Sequence, residues 1–381
     1  MDRKVLLVSN HNAVTRPWNG VPYEFLNVIA GIEDATIVAP PPLRRDLGLN
    51  YSAMEFLRNA GGELADQARR AVRGKFPGVM QPVTIDQDYD VCFFMCQFSK
   101  NLGDMEQVKN WRARSKLAVA FVLETWSSQF ARRKADLAIL NEFDHVFVLN
   151  ASSIPELKKY VTAPVSFLAT GADALASCPH PANAPRVVDI LSMGRRRPEV
   201  HEAALKLVRD RDIFYIHDIW GNITARDWGE IRAANADMTR RCKYYVAWDP
   251  VTVSPIKNDV IGNERAISTR YFEGAAGGAI MIGSRAGCEE FDALFDWPDA
   301  VVEIDPEGGD LAAVLEALDA DTERAEAARR NNVLNSLRRH DWAFRWERIL
   351  ETLGLETTAA HRARVAEMAR LAGEIDVADA S

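Results

Sequence analysis

Residues 268–288 read STRYFEGAAGGAIMIGSRAGC. Ser268 or Thr269 can cap a helix whose first turn holds Arg270, Tyr271, Phe272 and Glu273. Gly277-Gly278 ends that helix, and AIMIG is a short apolar strand. A capped helix handing over to a buried strand is the repeating unit of an open α/β fold with parallel strands. One carboxylate, Glu273, sits inside this unit just before the glycine turn.

The same alternation extends in both directions. Upstream, candidate strands are VLLVS (5–9), ATIVAP (35–40), VCFFMC (91–96), LAVAFVL (117–123), HVFVLN (145–150) and APVSFLA (163–169). Helices such as PYEFLNVIAGI and EFLRNAGGELADQARRAV (55–72) lie between them, and SIPELKKYV starts a helix with Ser153 as its cap and Pro155 early in it. ASCPHPANAPR (176–186) carries three prolines without periodicity and reads as a linker. The pattern then restarts with VVDILSMG, DIFYIHD, YYVAWD, the opening stretch and AVVEID. The restart predicts two α/β domains: 1–176, a linker at 177–186, and 187–355. The tail is helical, and HRARVAEMARLAGEI forms a final amphipathic helix within 356–381.

The chain's 381 residues exceed what one hydrophobic core usually supports, in keeping with two domains. A formal net charge of −8 argues against nucleic acid as the main partner. Five scattered cysteines, two of them in the apolar run YDVCFFMCQF, read as buried thiols in a reducing compartment. With no apolar run long enough for a membrane span or a leader, the expected location is cytoplasmic. An aromatic-basic patch in the first domain, for instance Trp111 with Arg112 and Arg114, suggests peripheral contact with a membrane surface, against the plainer reading of a solvated helix end.

In paired α/β domains a ligand belongs at the carboxyl ends of the strands. Four junctions there carry chemistry. The loop after the first strand holds Asn10, His11, Asn12, Arg16, Trp18, Asn19 and Gly20, polar enough for a substrate and equally consistent with a solvated loop. Glu124 directly follows a buried strand, placed for proton transfer unless Arg132 or Arg133 pairs with it. Arg195, Arg196 and Arg197 follow a strand and precede a helix started by Pro198; guanidinium forks and helix amides fit phosphate oxygens, and one of the three is expected to meet a phosphate while two face water. In the opening stretch, the capping turn of Ser268, Thr269 and Arg270 suits an anion, Glu273 can accept from vicinal hydroxyls, and Gly277 and Gly278 permit close backbone approach. Asp86, Asp88 and Asp90 form a DxD-like run that precedes a strand, the wrong end of a sheet for a metal site. There is no GxGxxG, P-loop or GxSxG motif, and the histidines have no metal-ligand spacing.

TRYFEGAAGGAIMIGS resembles the donor-site motif of the group 1 glycosyltransferases, in which a basic residue precedes Phe-Glu, a small-residue helix and a buried strand. HDWAFRWERILETLGL is similar to the C-terminal signature of their CgeB-like subset, SFLATGAD to the segment that closes their first domain, and ILSMGRRR to the Gly-Arg opening of their second. The resemblance implies the GT-B fold: two Rossmann-like domains facing a cleft, with a C-terminal helix crossing back to the first. It implies a nucleotide-diphosphate sugar as donor on the second domain, a glycan, glycolipid or protein acceptor on the first, and no metal cofactor. It assigns Glu273 to the ribose hydroxyls, Ser268, Thr269 and Arg270 to the diphosphate, and Arg195 to Arg197 to phosphate charge. Glu124 takes the place of a histidine often found at that strand end. The E-x7-E pair of retaining members is not matched, because the nearest upstream carboxylate, Glu264, lies one residue too far. The activity expected is metal-independent glycosyl transfer in polysaccharide biosynthesis, with Glu124 and then His11 as candidate bases. A nucleotide-sugar epimerase and a non-catalytic binding module stay open as alternatives.

Overall fold

The computed structural model describes residues 3–42, 80–217, 227–249, 261–262 and 264–379. The sequence-predicted helix at 55–72 lies outside the described residues. Contacts divide the chain into two units: Met1–Ala169 with Asp259–Glu264, and Thr170–Asn258 with Arg265–Ser381.

The first unit is built on β1 (Lys4–Ser9), β2 (Asp34–Val38), β4 (Tyr89–Phe98), β6 (Ser115–Glu124), β7 (His145–Val148) and β8 (Val165–Phe167), with a two-stranded side pair of β3 (Val83–Thr84) and β5 (Val108–Lys109). The main sheet runs in the order β2-β1-β4-β6-β7-β8, and every pairing is parallel. Its central strands are long because they are apolar on both faces, as parallel strands covered by helices on both sides must be. Val91 to Cys96 and Ala118 to Val122 are fully buried. Helix α1 (Gly20–Ala30) covers one face, burying Phe25, Leu26 and Ile29.

The second unit repeats the plan with β9 (Val188–Ser192), β10 (Tyr215–His217), β11 (Cys242–Ala247), β12 (Ile280–Gly283) and β13 (Val302–Glu303), in the order β10-β9-β11-β12-β13 and again all parallel. Its longer helices are α2 (Pro198–Arg211), α3 (Trp228–Arg241), α4 (Thr269–Ala276), α5 (Leu311–Ala320), α6 (Thr322–Asn335), α7 (Trp342–Thr352) and α8 (Ala359–Asp379). Both sheets wind outward from one strand, β1 or β9, and then resume on its other side. Each therefore has a topological switch point, between β1 and β4 and between β9 and β11, where the carboxyl ends of two strands open a crevice for a ligand.

Several expectations are corrected. The units divide after Ala169, not after residue 176, because residues 170–174 are bound into the second unit. Asp341 is fully buried, caps α7 through the Ala343 amide (2.8 Å) and accepts from the Ala174 amide (2.8 Å). The same carboxylate accepts from Arg364 of α8 at 2.7 and 2.9 Å, and Arg364 also reaches Asp173. These bonds and the buried Met368 and Leu371 fix α8 to elements of the second unit. Ser153 does not cap its helix; its hydroxyl donates back to the Asn150 carbonyl, and only Ile154–Leu157 are α-helical. Trp111 is 6% exposed and stacked on Phe143, while Arg112 pairs with Asp144 and Arg114 with Asp88, so the aromatic-basic patch is packed inward and ion-paired. The cysteines form no disulfide, and four of the five are buried. Among the described residues no helix is long and apolar enough to cross a membrane.

Candidate active site

At the switch point of the second unit, β9 ends at Ser192 and the chain turns through Gly194 with a φ of +74°. Glycine suits this backbone angle, and a side chain at Gly194 would come within 3.2 Å of the Arg270 guanidinium. Arg270 Nη1 donates to the Arg195 carbonyl (2.7 Å), joining the loop after β9 to the first turn of α4. Burial pulls the Arg270 guanidinium below the ordinary arginine value, and the Arg195 charge adds to this. Ser268 holds the extended cap conformation, yet its hydroxyl does not cap α4. The helix start thus presents first-turn amides, the Ser268 hydroxyl and two cations on one side, an arrangement made for an anion.

The three arginines divide. Arg197 is committed to Glu307 (3.0 Å), Glu199 (3.4 Å) and the Pro306 carbonyl. Arg196 lines a cavity of about 10 Å³ with Ser192, His201, Tyr215 and Trp248, room for about one water. Arg195 is exposed.

Glu273 lies one turn into α4. Arg232 of α3 donates to its Oε1 at 2.7 Å, and the two side chains are only 11% and 15% exposed. Tyr245 of β11 is fully buried close by, its hydroxyl without a hydrogen-bond partner. Burial, and then the Glu273 charge, push that hydroxyl well above the ordinary tyrosine range. Arg232 and Tyr245 carry no local motif and were not anticipated. Gly277 and Gly278 do end the helix, but the close approach they allow is to the protein itself. A side chain at Gly277 would strike Thr239 (2.6 Å), and one at Gly278, φ +65°, would strike Val333 (2.7 Å) and Arg186 (2.9 Å).

The position eight residues before Glu273 is Arg265, which pairs with the buried Asp249 (3.3 Å) after β11. Glu264 belongs to the first unit, where its carboxylate accepts from the Ser127 amide (3.0 Å) and the Ser127 hydroxyl.

At the switch point of the first unit, the loop after β1 is tightly tied. Asn10 donates to Asp104 (2.7 Å), Asn12 to the Ala39 carbonyl (2.9 Å) and Asn19 to the Val14 carbonyl (2.5 Å). His11 is 3% exposed with its ring edge-on to Tyr23, and burial pulls its pKa down to about 4. Trp18 is 42% exposed. Across the switch point β4 ends in Gln97-Phe98, and Phe98 is in register with Glu124 at the end of β6. Gln97 Nε2 (3.0 Å) and Trp126 Nε1 (3.1 Å) both donate to the Glu124 carboxylate, one to each oxygen. Neutral donors thus orient Glu124, where Arg132 or Arg133 was the alternative. Asp88 and Asp90 lie at the opposite, amino-terminal side and are held by Arg114 (2.9 Å) and Lys116 (2.7 Å). Among the described residues no three His, Cys, Asp or Glu side chains group to hold a metal ion.

A family model described as glycosyl transferase-like matches residues 197–351, which belong to the second unit except for Asp259–Glu264. No curated protein sequence matches the chain. Among solved structures, an α,α-trehalose 6-phosphate synthase from Burkholderia multivorans superposes with a TM-score of 0.54 at 9% identity, covering 96% of this chain and 100% of that one. An α-glucosyltransferase in complex with UDP and a 13-mer DNA gives 0.53 at 9% identity, over 93% and 100% of the two chains. HepE of Anabaena, in complex with UDP and glucose, gives 0.51 at 11% identity, over 92% and 99%. At such identities the likeness establishes the fold. The chain has the GT-B fold of two Rossmann-like α/β units.

Proposed function

We propose that the protein is a glycosyltransferase that moves a sugar from a nucleotide-diphosphate donor, held by the second unit, to a hydroxyl acceptor held by the first. The observation that carries this reading is the convergence of Arg195, Arg270 and the α4 amides at the switch point, one helical turn from Glu273. The glycosyl transferase-like match over the same unit supports it. Diphosphate oxygens would sit against the two guanidiniums and the helix start, which stabilise the charge that grows as the donor bond breaks. Glu273, with Oε1 held by Arg232, offers Oε2 to vicinal ribose hydroxyls. The phosphate charge is met by arginines and amides and not by a metal; the DxD-like carboxylates are already neutralised by Arg114 and Lys116 at the far end of their sheet.

Glu124 is the base. Its carboxylate is oriented by two neutral donors and lies at the switch-point rim, where an acceptor hydroxyl can reach it. His11 is neutral at pH 7, but with a pKa of about 4 it is a weak proton acceptor, and it is covered by protein. Titration calorimetry with UDP and with GDP tests the donor half. One of the two should bind wild type, and Arg270→Ala should weaken that binding about 10- to 100-fold, the range for loss of a charged hydrogen bond. If neither diphosphate binds wild type, the reading fails.

A further inference from the structure

The acceptor side carries a feature that the donor chemistry does not use. Trp18 is the only exposed large hydrophobic side chain among the described residues of the first unit. It sits in the helical turn Pro17–Asn19, fixed by the proline, by the Asn19 amide on the Arg16 carbonyl (2.9 Å) and by the Asn19 side chain on Val14. Its ring meets Phe98 edge-on, with centroids 6.1 Å apart, and Lys100 lies over Phe98 at 5.2 Å, so Trp18 carries the accessible aromatic surface. Trp18 follows β1 and Phe98 ends β4, so the pair straddles the switch point, and Phe98 is in register with Glu124. Gln97, nine-tenths buried, gives its amide hydrogen to Glu124, and its Oε1 has no partner.

We infer that Trp18 is a stacking platform for a pyranose ring and that the acceptor is a saccharide, an inference that rests on the glycosyltransferase reading above. A pyranose has an apolar C–H face and a rim of hydroxyls. It needs a flat, rigid, amphipathic surface with hydrogen-bonding groups at hand; Trp18 supplies the surface, and the unpartnered Gln97 Oε1 and the Glu124 carboxylate belong to the ends of β4 and β6, where Trp18 touches Phe98. A lipid surface would call for a cluster of exposed apolar side chains, and this unit shows one among its described residues. Seated on Trp18, the sugar would place a hydroxyl near Glu124, the base that must take its proton.

Saturation-transfer NMR on the full chain tests this with the methyl glycosides of glucose, galactose and N-acetylglucosamine, in the presence of UDP or GDP. At least one glycoside should receive saturation on its ring C–H protons. Trp18→Ala should weaken that binding about tenfold, Trp18→Phe should keep most of it, and nucleotide affinity should not change in either variant. The inference is overturned if Trp18→Ala binds the glycoside as wild type does, if a wild type that binds nucleotide binds none of the three, or if the substitution instead abolishes binding to phosphatidylglycerol vesicles. Wild type that binds neither nucleotide nor glycoside would sink the glycosyltransferase reading itself.

Discussion

The two sheets share a winding scheme but differ in what crowns their carboxyl ends. In the first unit the groups around the Glu124 carboxylate are neutral and buried: Ser9, Asn10, Gln97, Thr125 and Asn150 are 0 to 9% exposed. Ser9 Oγ, Asn10 Oδ1, Gln97 Oε1 and both amide atoms of Asn150 have no partner. In the second unit the groups are charged: Arg270 with the exposed Arg195, the Arg232–Glu273 pair and the Arg265–Asp249 pair. Topology selects the place, and side chains select the chemistry. Neutral polar atoms recognise hydroxyls with little desolvation cost, whereas clustered guanidiniums recognise phosphate and are stabilised by receiving it.

Two glutamates measure that difference most directly. Glu273→Ala should lower the stability of the second unit by about 3–5 kcal/mol, because it leaves Arg232 buried without its carboxylate. Glu124→Gln should lower that of the first unit by no more than about 1.5 kcal/mol, since only neutral donors face it. Urea unfolding of both variants gives the comparison, and an Arg232→Met/Glu273→Met double variant should recover most of the larger loss. Equal costs for the two single variants would erase the distinction drawn here.

His11 tests the neutral side through pH. Its folded pKa of about 4 lies below the ordinary 6.5, so the unfolded chain takes up the proton first as the pH falls. Its contribution is complete above pH 6.5 and is lost progressively down to about pH 4, an effect of about 3 kcal/mol. Unfolding of wild type and His11→Gln across that window should show wild type losing its advantage by that amount. A pH-independent difference would mean that water reaches the imidazole.

Much of this was legible in the sequence, because buried parallel strands are written as uninterrupted apolar runs. Among the described residues, every strand except the short side pair β3 and β5 falls on a segment read as a strand. Glu124, Glu273 and the Arg195–Arg270 neighbourhood were legible for the same reason: each sits at a strand end or a helix start. What was illegible is tertiary. Nothing local in WGEIRAANADMTRR marks Arg232 as the partner of Glu273, and nothing in ASCPHPANAPR says that the preceding Asp173 is held by α8. Trp18 was visible as a loop residue, but its meaning comes from Phe98, eighty positions away. Gly277 and Gly278 were read as openings toward a ligand, because a sequence shows that a side chain is missing and not what fills the space.

Gly278→Ala must accommodate a left-handed φ and a Cβ driven into Val333 and Arg186, at a cost of about 2 kcal/mol. Nucleotide affinity should hold, because the glycine faces α6 and Arg186. A loss of affinity larger than the loss of stability would return Gly278 to the binding site.

The smallest expected effect decides the standing of Glu264. The resemblance to retaining enzymes asked for a carboxylate near the transferred sugar; the structure ties this one to Ser127, in the loop just past Glu124. Ser127→Ala removes the hydroxyl but keeps the amide donor, so it should cost about 1 kcal/mol. If Glu264 serves only as a tether to that loop, Glu264→Gln should behave like Ser127→Ala, with similar small losses in stability and kcat within about tenfold of wild type. A catalytic carboxylate would separate the two: Glu264→Gln would lower kcat by about a hundredfold or more while Ser127→Ala left it nearly intact. Measuring both variants against the same nucleotide sugar therefore shows whether Glu264 supplies a second working carboxylate in addition to Glu124 or only a tether.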